Sequence, residues 1–271
     1  MRDFTLQAYK TLLLAFRQAG YRFQTFEEFL TAPASGRSVV LRHDVDELAK
    51  NALAMARLEN SLGIRATYYF RIVKQSNRPE VIREVVALGH EIGYHYETLA
   101  TSKGNMEEAL AAFEENLAYF RGYYPVRTVC MHGSSSSEYD NRLIWSRRSL
   151  SDYGLIGEPY LTVDFSRVFY LSDTGYAWDG GKYAVRDIVD NPFGLQFHST
   201  REIVDTLLGG TFPEKALVLA HTLWTDNRSL WCWLHVREHL RNRLKQTARK
   251  SKTVARIYKA LVGLYWKGGK K

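Results

Sequence analysis

Two carboxylates one residue apart, a guanidinium two residues ahead of the first and a histidine between them occur in Val39-Val40-Leu41-Arg42-His43-Asp44-Val45-Asp46. Three apolar residues lead into the acids, and a helical pattern begins at once with Glu47-Leu48-Ala49-Lys50-Asn51-Ala52-Leu53, so the acids stand at the mouth of a buried strand. That is where α/β folds place chemistry. Side chains of a strand alternate, so Arg42, Asp44 and Asp46 share one face while His43 and Val45 share the other. Such a group lets the arginine hold one carboxylate ionised as a base while the second binds a cation. The plainer reading makes Asp46 a helix cap and pairs Asp44 with a lysine; Ala49 at the third helical position offers no capping box for it.

Three histidines extend the pattern. His95 closes the apolar stretch that begins at His90, His132 closes Thr128-Val129-Cys130-Met131, and His221 closes Ala216-Leu217-Val218-Leu219-Ala220. In a parallel barrel the C-terminal strand ends converge on one rim, which brings these rings to Asp44 and Asp46. A mixed His/Asp site with an open position suits a divalent ion, zinc foremost, acting on water. One such histidine alone reads as a hydrogen-bonded structural residue; several at matching strand ends read as a site.

The elements that position these residues alternate strand and helix. Strands are expected near 38–44, 64–71, 90–95 and 126–131, with helices near 47–62, 78–88 and 105–121. Asn105 followed by Glu108 marks a helix start, and Leu110, Phe113, Leu117 and Phe120 recur on one face. From about 150 to 198 the apolar runs are short (Val168-Phe169-Tyr170-Leu171; Gly194-Leu195-Gln196-Phe197), and their order cannot be read. Helix 200–208 and the strand ending at His221 restore the alternation. This βαβα order implies a parallel sheet with right-handed crossovers winding toward a barrel. Internal repeats, a P-loop and a dinucleotide glycine pattern are absent from the sequence.

The 271 residues are enough for a large core, and the 45% hydrophobic and 24% charged content is that of a globular protein. No apolar run has membrane-spanning length, and Leu12-Leu13-Leu14-Ala15-Phe16 reads as an amphipathic helix, so a cytoplasmic location is expected. Two cysteines, Cys130 and Cys232, give no disulfide framework and fit a reducing compartment. Charge is uneven: residues 228–271 carry 13 Lys or Arg against one acid, a net of +12, which leaves −4 of the chain's +8 on the remainder. Two units are therefore expected, a barrel with its N-terminal helix over 1–227 and a basic helical extension over 228–271.

These residues resemble the polysaccharide deacetylase family, carbohydrate esterase family 4, over about residues 38–222. The resemblance implies a distorted (β/α) barrel of the polysaccharide deacetylase type with a long basic C-terminal helical tail, and a metal-dependent N-deacetylase. The family's Thr-Phe-Asp-Asp-Gly motif is similar to His43-Asp44-Val45-Asp46 with one residue inserted between the acids, which makes Asp44 the base and Asp46 a metal ligand. Its second motif is matched by Gly89-His90-Glu91-Ile92-Gly93-Tyr94-His95, giving His95 as a ligand, but its last ligand position falls on Leu99. Either His132 or Glu97 can take the vacant place; His132 is preferred because a separate strand end approaches from its own direction. Asp173-Thr174-Gly175-Tyr176-Ala177-Trp178 looks like the motif whose acid supports the base or the general acid and whose tryptophan walls the acetyl pocket. Leu219-Ala220-His221 is similar to the motif that carries the general acid. The arginine-bearing third motif is missing, and Arg42 is the candidate for its charge-pairing role.

The polar stretch 132–142 is either a solvated linker or a sugar-contacting rim in which Tyr139, Asp140 and Arg142 bind substrate. From Arg228 on, Leu230, Leu234, Leu240 and Leu244, then Val254, Ile257, Tyr258, Leu261, Val262 and Tyr265, form apolar stripes among basic residues. Such a tail suits an anionic membrane surface at the inner face, or a final helix packed on the barrel; nucleic acid is not expected, since no recognised motif accompanies the charge. The activity implied is hydrolysis of an N-acetylated sugar. The alternatives are hydrolysis of a non-sugar amide on the same barrel, or a non-catalytic sugar binder that has lost its metal.

Overall fold

A computed structural model describes residues 2–133, 137–178, 182–184, 186–250 and 253–254. Its central element is strand β2 (Ser38–Val45), whose every residue is buried, as a near-continuous apolar run implies for a strand covered on both faces. One edge of β2 pairs first with β1 (Arg22–Gln24) and then with β3 (Thr67–Phe70), and the other edge pairs with β7 (Lys215–Leu219). Beyond β3 come β4 (Glu91–Tyr96) and β5 (Val129–Met131), and beyond β7 comes β6 (Phe169–Ser172), every pairing being parallel. The order β5-β4-β3-β2-β7-β6 curls into a half-barrel with flanking helices, a distorted (β/α) barrel. Its C-terminal strand ends form one rim.

The helices cover the sheet for reasons visible in their sequences. Before the central strand lie α1 (Leu6–Gln18), capped by Thr5, and α2 (Phe26–Thr31), which carries a capping box between Thr25 and Glu28. The crossovers are α3 (Ala49–Ser61), α4 (Pro79–Ala87), with proline in its first turn, the short α5 (Thr98–Thr101), and α6 (Met106–Arg121), whose first amides donate to Asn105. Leu110 is only partly buried on α6, but Phe113, Leu117 and Phe120 lie in the core as their spacing requires. Two 3₁₀ turns and α7 (Pro159–Thr162) follow β5 in the chain, the first turn packing on α5 and α6 and α7 on β5, and α8 (Thr200–Leu208), capped by Ser199, precedes β7.

Several boundaries differ from expectation. The helix after the acids begins at Ala49, because Leu48 takes the left-handed conformation at φ 55° and turns the chain; no side chain caps this helix, so Asp46 is left to other work. Of the two short runs in the middle of the chain only the first is a strand, β6; residues 194–197 carry no strand pairing, and Phe197 instead packs on Phe169 and Phe212. Strand β1 and helix α2 precede the first strand expected, near 38–44. Gly93 in β4 has a specific reason: a Cβ there would stand 2.2 Å from the Tyr69 ring and 2.8 Å from the Thr128 carbonyl oxygen.

The expected boundary at 227/228 coincides with the start of α9 (Arg228–Lys250). This helix lies on the body: Leu234, Glu238 and Asn242 are buried, Trp231 donates to the Asp3 carbonyl at 2.8 Å, and Asn242 donates to the Gly175 carbonyl at 2.7 Å. The first stripe expected in the tail is therefore split, with Leu234 inward and Leu240 and Leu244 exposed beside Trp233 and Val236. Of the second stripe only Val254 falls within the described residues, and the rest lies outside them. No described helix is long and apolar enough to cross a membrane.

Candidate metal centre and active cleft

The ends of β2, β4, β5, β6 and β7 bring Asp44, Asp46, His95, His132, Asp173 and His221 to one rim. All except His95 border an open cleft, whose empty space counted out into solvent is about 850 Å³. Its wall is completed by Asp187, by Gly175 and Tyr176, and by Glu238, Arg241 and Lys245 of α9.

At the floor Arg42 donates to both oxygens of Asp44, at 2.9 and 2.6 Å, and its guanidinium lies 4.8 Å from the centre of the Tyr160 ring. Burial works to raise the Asp44 pKa, but Arg42 and His95 outweigh it and hold the carboxyl below its usual range. Asp46 is different. Its Oδ1 is buried and has no hydrogen-bond partner, although His95 Nε2 stands 3.5 Å and His132 Nε2 3.4 Å from it. Burial raises the Asp46 pKa less than His132, His95 and Arg71 lower it, so it lies well below the carboxylate norm.

Both rings are aimed from behind. His95 Nδ1 lies 2.9 Å from the Cys130 carbonyl oxygen, and His132 Nδ1 lies 3.0 Å from Glu97 Oε2. Each contact fixes the tautomer that leaves Nε2 free to ligate, the usual arrangement behind a metal-binding histidine. Glu97 is in turn gripped by Arg71 through both Nε and Nη2; against the cost of burial Arg71 and His132 push its pKa down to about 2. Glu97 is thus committed to orienting His132. Leu99 is buried in the core.

The residues present fit a divalent ion. Two ligand atoms each about 2.0–2.1 Å from a tetrahedral ion lie about 3.3–3.4 Å apart, close to both separations at Asp46 Oδ1. A partnerless buried carboxylate oxygen facing two imidazole nitrogens makes a poor hydrogen-bond site and a good ligand set. A fully buried group, Asp44, His95 and Cys130, brings its ligand atoms within 4.8 Å of one another. Burial pushes the Cys130 thiol well up, and its sulfur points to the Met131 carbonyl at 3.6 Å, so it stays protonated and is the poorer donor.

Across the cleft, His221 Nδ1 lies 2.6 Å from Asp173 Oδ1, and Trp224 donates to Asp173 Oδ2 at 2.9 Å. Burial would lower the His221 pKa, but Asp173 reverses that and pushes it up to about 9. The imidazolium therefore persists at neutral pH.

The four residues expected to bind sugar lie elsewhere. Trp178 is buried with Phe4 and Trp224 and donates to Thr200, so it belongs to the core and does not line the cleft. Asp140 caps the first 3₁₀ turn and is bound by Arg142 at 2.6 Å; neither borders the cleft, nor does Tyr139, whose ring packs on Gly104. Residues 134–136 of that loop are outside the described residues. Conversely, Asp187 comes from an irregular stretch, and Arg241 and Lys245 read as part of a separate tail, so none of the three is singled out by its sequence context.

No known family model matches the sequence, and no curated protein matches it. Similarity is found among solved structures. A mutant of the Bacillus anthracis CE4 family pseudoenzyme with restored enzymatic activity is 12% identical over 73% of this chain and 62% of that chain, with a TM-score of 0.41. A family 4 carbohydrate esterase from Streptomyces lividans in complex with acetate is 14% identical over 74% and 84%, at 0.39, and a Bdellovibrio bacteriovorus peptidoglycan deacetylase is 14% identical over 75% and 51%, at 0.40. The match thus spans less than two thirds of the pseudoenzyme and about half of the Bdellovibrio protein.

Proposed function

We propose that this protein is a metal-dependent hydrolase that removes the acetyl group from an N-acetylated sugar. The observation that carries the reading is the convergence of His95 Nε2 and His132 Nε2 on the partnerless Asp46 Oδ1, with ionised Asp44 beside it. Asp46, His95 and His132 would hold the ion, and two nitrogens and one oxygen suit zinc. Such an ion supplies Lewis acidity toward the acetamide oxygen and an acidified water. Asp44, kept ionised by Arg42, takes a proton from the attacking water as the new C–O bond forms. His221, kept protonated by Asp173, gives a proton to the nitrogen as the C–N bond breaks, so the leaving group departs as a neutral amine. Acetate and the free amino sugar are the products.

The free thiols Cys130 and Cys232 suit a reducing compartment, which supports a cytoplasmic site of action. The exposed Trp233, Val236, Leu240 and Leu244 on α9, within the segment 228–271 of net charge +12, support peripheral contact with an anionic bilayer at its inner face.

The test is acetate release from N-acetylglucosamine and its oligomers, on protein stripped with chelator and then reloaded with zinc, cobalt, nickel or manganese. Activity lost on stripping and regained on reloading is expected. A protein that takes up one equivalent of metal and releases no acetate from any acetylated sugar would instead be a binder, or a hydrolase of another amide.

A further inference from the structure

The cleft has an acidic floor and a cationic rim. Asp44, Asp46, Asp173 and Asp187 face it from the strand ends and the loop beyond β6, while Arg241 and Lys245 are the Lys and Arg residues among its described lining. Glu238, Arg241 and Lys245 follow one another at helical spacing on the side of α9 turned to the body. The contacts of Trp231 with Asp3, Arg237 with Glu47 and Asn242 with Gly175 hold that side against the rim.

Lys245 is the informative residue. It stands within a cleft rich in carboxylates, yet no described acid lies within ion-pair distance of its ammonium. Glu238, the acid nearest along the helix, is taken by Arg237 at 2.9 Å and faces Arg241 at 3.6 Å. Burial, with Arg241 adding to it, pushes the Lys245 pKa down to about 8. Withdrawing a cation even partly from water without an ion-pair partner is unfavourable, and a ligand anion at that point offsets the penalty. An anion at the floor would meet Asp44 and Asp46 at once, and His221 is already paired with Asp173, so among the described lining the α9 rim is where negative charge is best received.

The geometry points to a phosphate group on the acetylated substrate, bound by Lys245 and Arg241 while the acetamide reaches the floor. The acetamide half of this assignment rests on the deacetylase reading; the phosphate half does not. A sugar phosphate and a sugar diphosphate ester share the chemistry that the two cations recognise.

Calorimetric titration of the full chain, with and without added zinc, separates the possibilities. N-Acetylglucosamine 1-phosphate is expected to bind at least tenfold more tightly than N-acetylglucosamine. Lys245→Met combined with Arg241→Met brings that ratio toward one, and Lys245→Arg preserves it. Uridine diphosphate N-acetylglucosamine in the same assay distinguishes a diester site, at which it binds as well as the monoester, from one restricted to a terminal phosphate. Equal affinity of the wild type for the phosphorylated and neutral sugars overturns the proposal, as does a ratio that survives the double substitution. If circular dichroism shows that the double variant is unfolded, Lys245→Met alone is the arbiter. Acetate measured in the same samples keeps the two ideas apart. A phosphate preference without acetate retains the anion site and removes the deacetylase, while equal kcat/KM on both sugars retains the deacetylase and removes the anion site.

Discussion

His43 and Asp44 are neighbours on β2 and face opposite layers, and the two polar clusters they enter have opposite characters. Behind the sheet, Glu59 of α3 is fully buried and accepts from Tyr9, from Tyr68 at 2.7 Å and from His43 Nε2 at 2.8 Å, while His43 Nδ1 reaches the Ala220 carbonyl at 2.8 Å. Burial raises the Glu59 pKa, yet the paired His43 brings it below the usual range, so the network is ionic and closed. In front, Asp46 Oδ1 meets two histidines at separations too long for good hydrogen bonds and ends without a partner. A closed buried network specifies a fold, because every member is satisfied within the chain. An open one is arranged for something that the chain does not contain.

Asp46→Ala breaks the comparison most sharply. Metal content should fall from one equivalent to near none and acetate release by about 10³-fold or more, the several kcal/mol that metal chemistry contributes. Its urea midpoint, measured on metal-free protein, should fall less than that of Glu59→Ala, since Asp46 is partly exposed and its contacts with His95, His132 and Arg71 are long. A variant that keeps metal and activity ends the assignment of Asp46. Glu59→Ala should do the reverse: a stability loss of about 3–5 kcal/mol by urea unfolding, because it strands a buried charged histidine, with metal content retained in the fraction that folds. If the two variants show the same pattern, the distinction between the faces fails.

The smallest effect is one of pH. His221 must be protonated to act as an acid, so kcat should decline as pH rises through about 9. Asp173→Asn removes the main cause of the raised value, and that limb should move toward the ordinary histidine value of about 6.5. The linkage to stability has the same sign. A folded pKa of about 9 above an unfolded value of about 6.5 stabilises the protein fully below 6.5, and the contribution is lost as pH climbs through about 9. A pH profile unchanged in Asp173→Asn would remove His221 from the role.

Much of the rim was legible in the sequence. The parallel βαβ alternation obliges strand ends to meet, which places Asp44, Asp46, His95, His132 and His221 together without knowledge of any distance. Period two along β2 separates His43 from its neighbours. Glu59 had a readable signal as well, an acid in register with the buried Ala52, Met55 and Ala56 of α3. Trp178 misled because a tryptophan after an acid reads equally well as a pocket wall and as core, and only the packing of Phe4 and Trp224 around it distinguishes them.

The sequence by itself determined which polar side chains stand at the strand ends, because side-chain alternation and parallel crossovers follow from local covalent geometry and handedness. Tertiary structure decided which groups were left open and which were closed. Glu97 goes to Arg71 and His132, Leu48 turns the chain so that Asp46 caps nothing, and α9 folds back to set Arg241 and Lys245 at the rim. Apart from the local turn at Leu48, those outcomes depend on contacts between residues dozens to hundreds of positions apart, and no periodicity or composition encodes them.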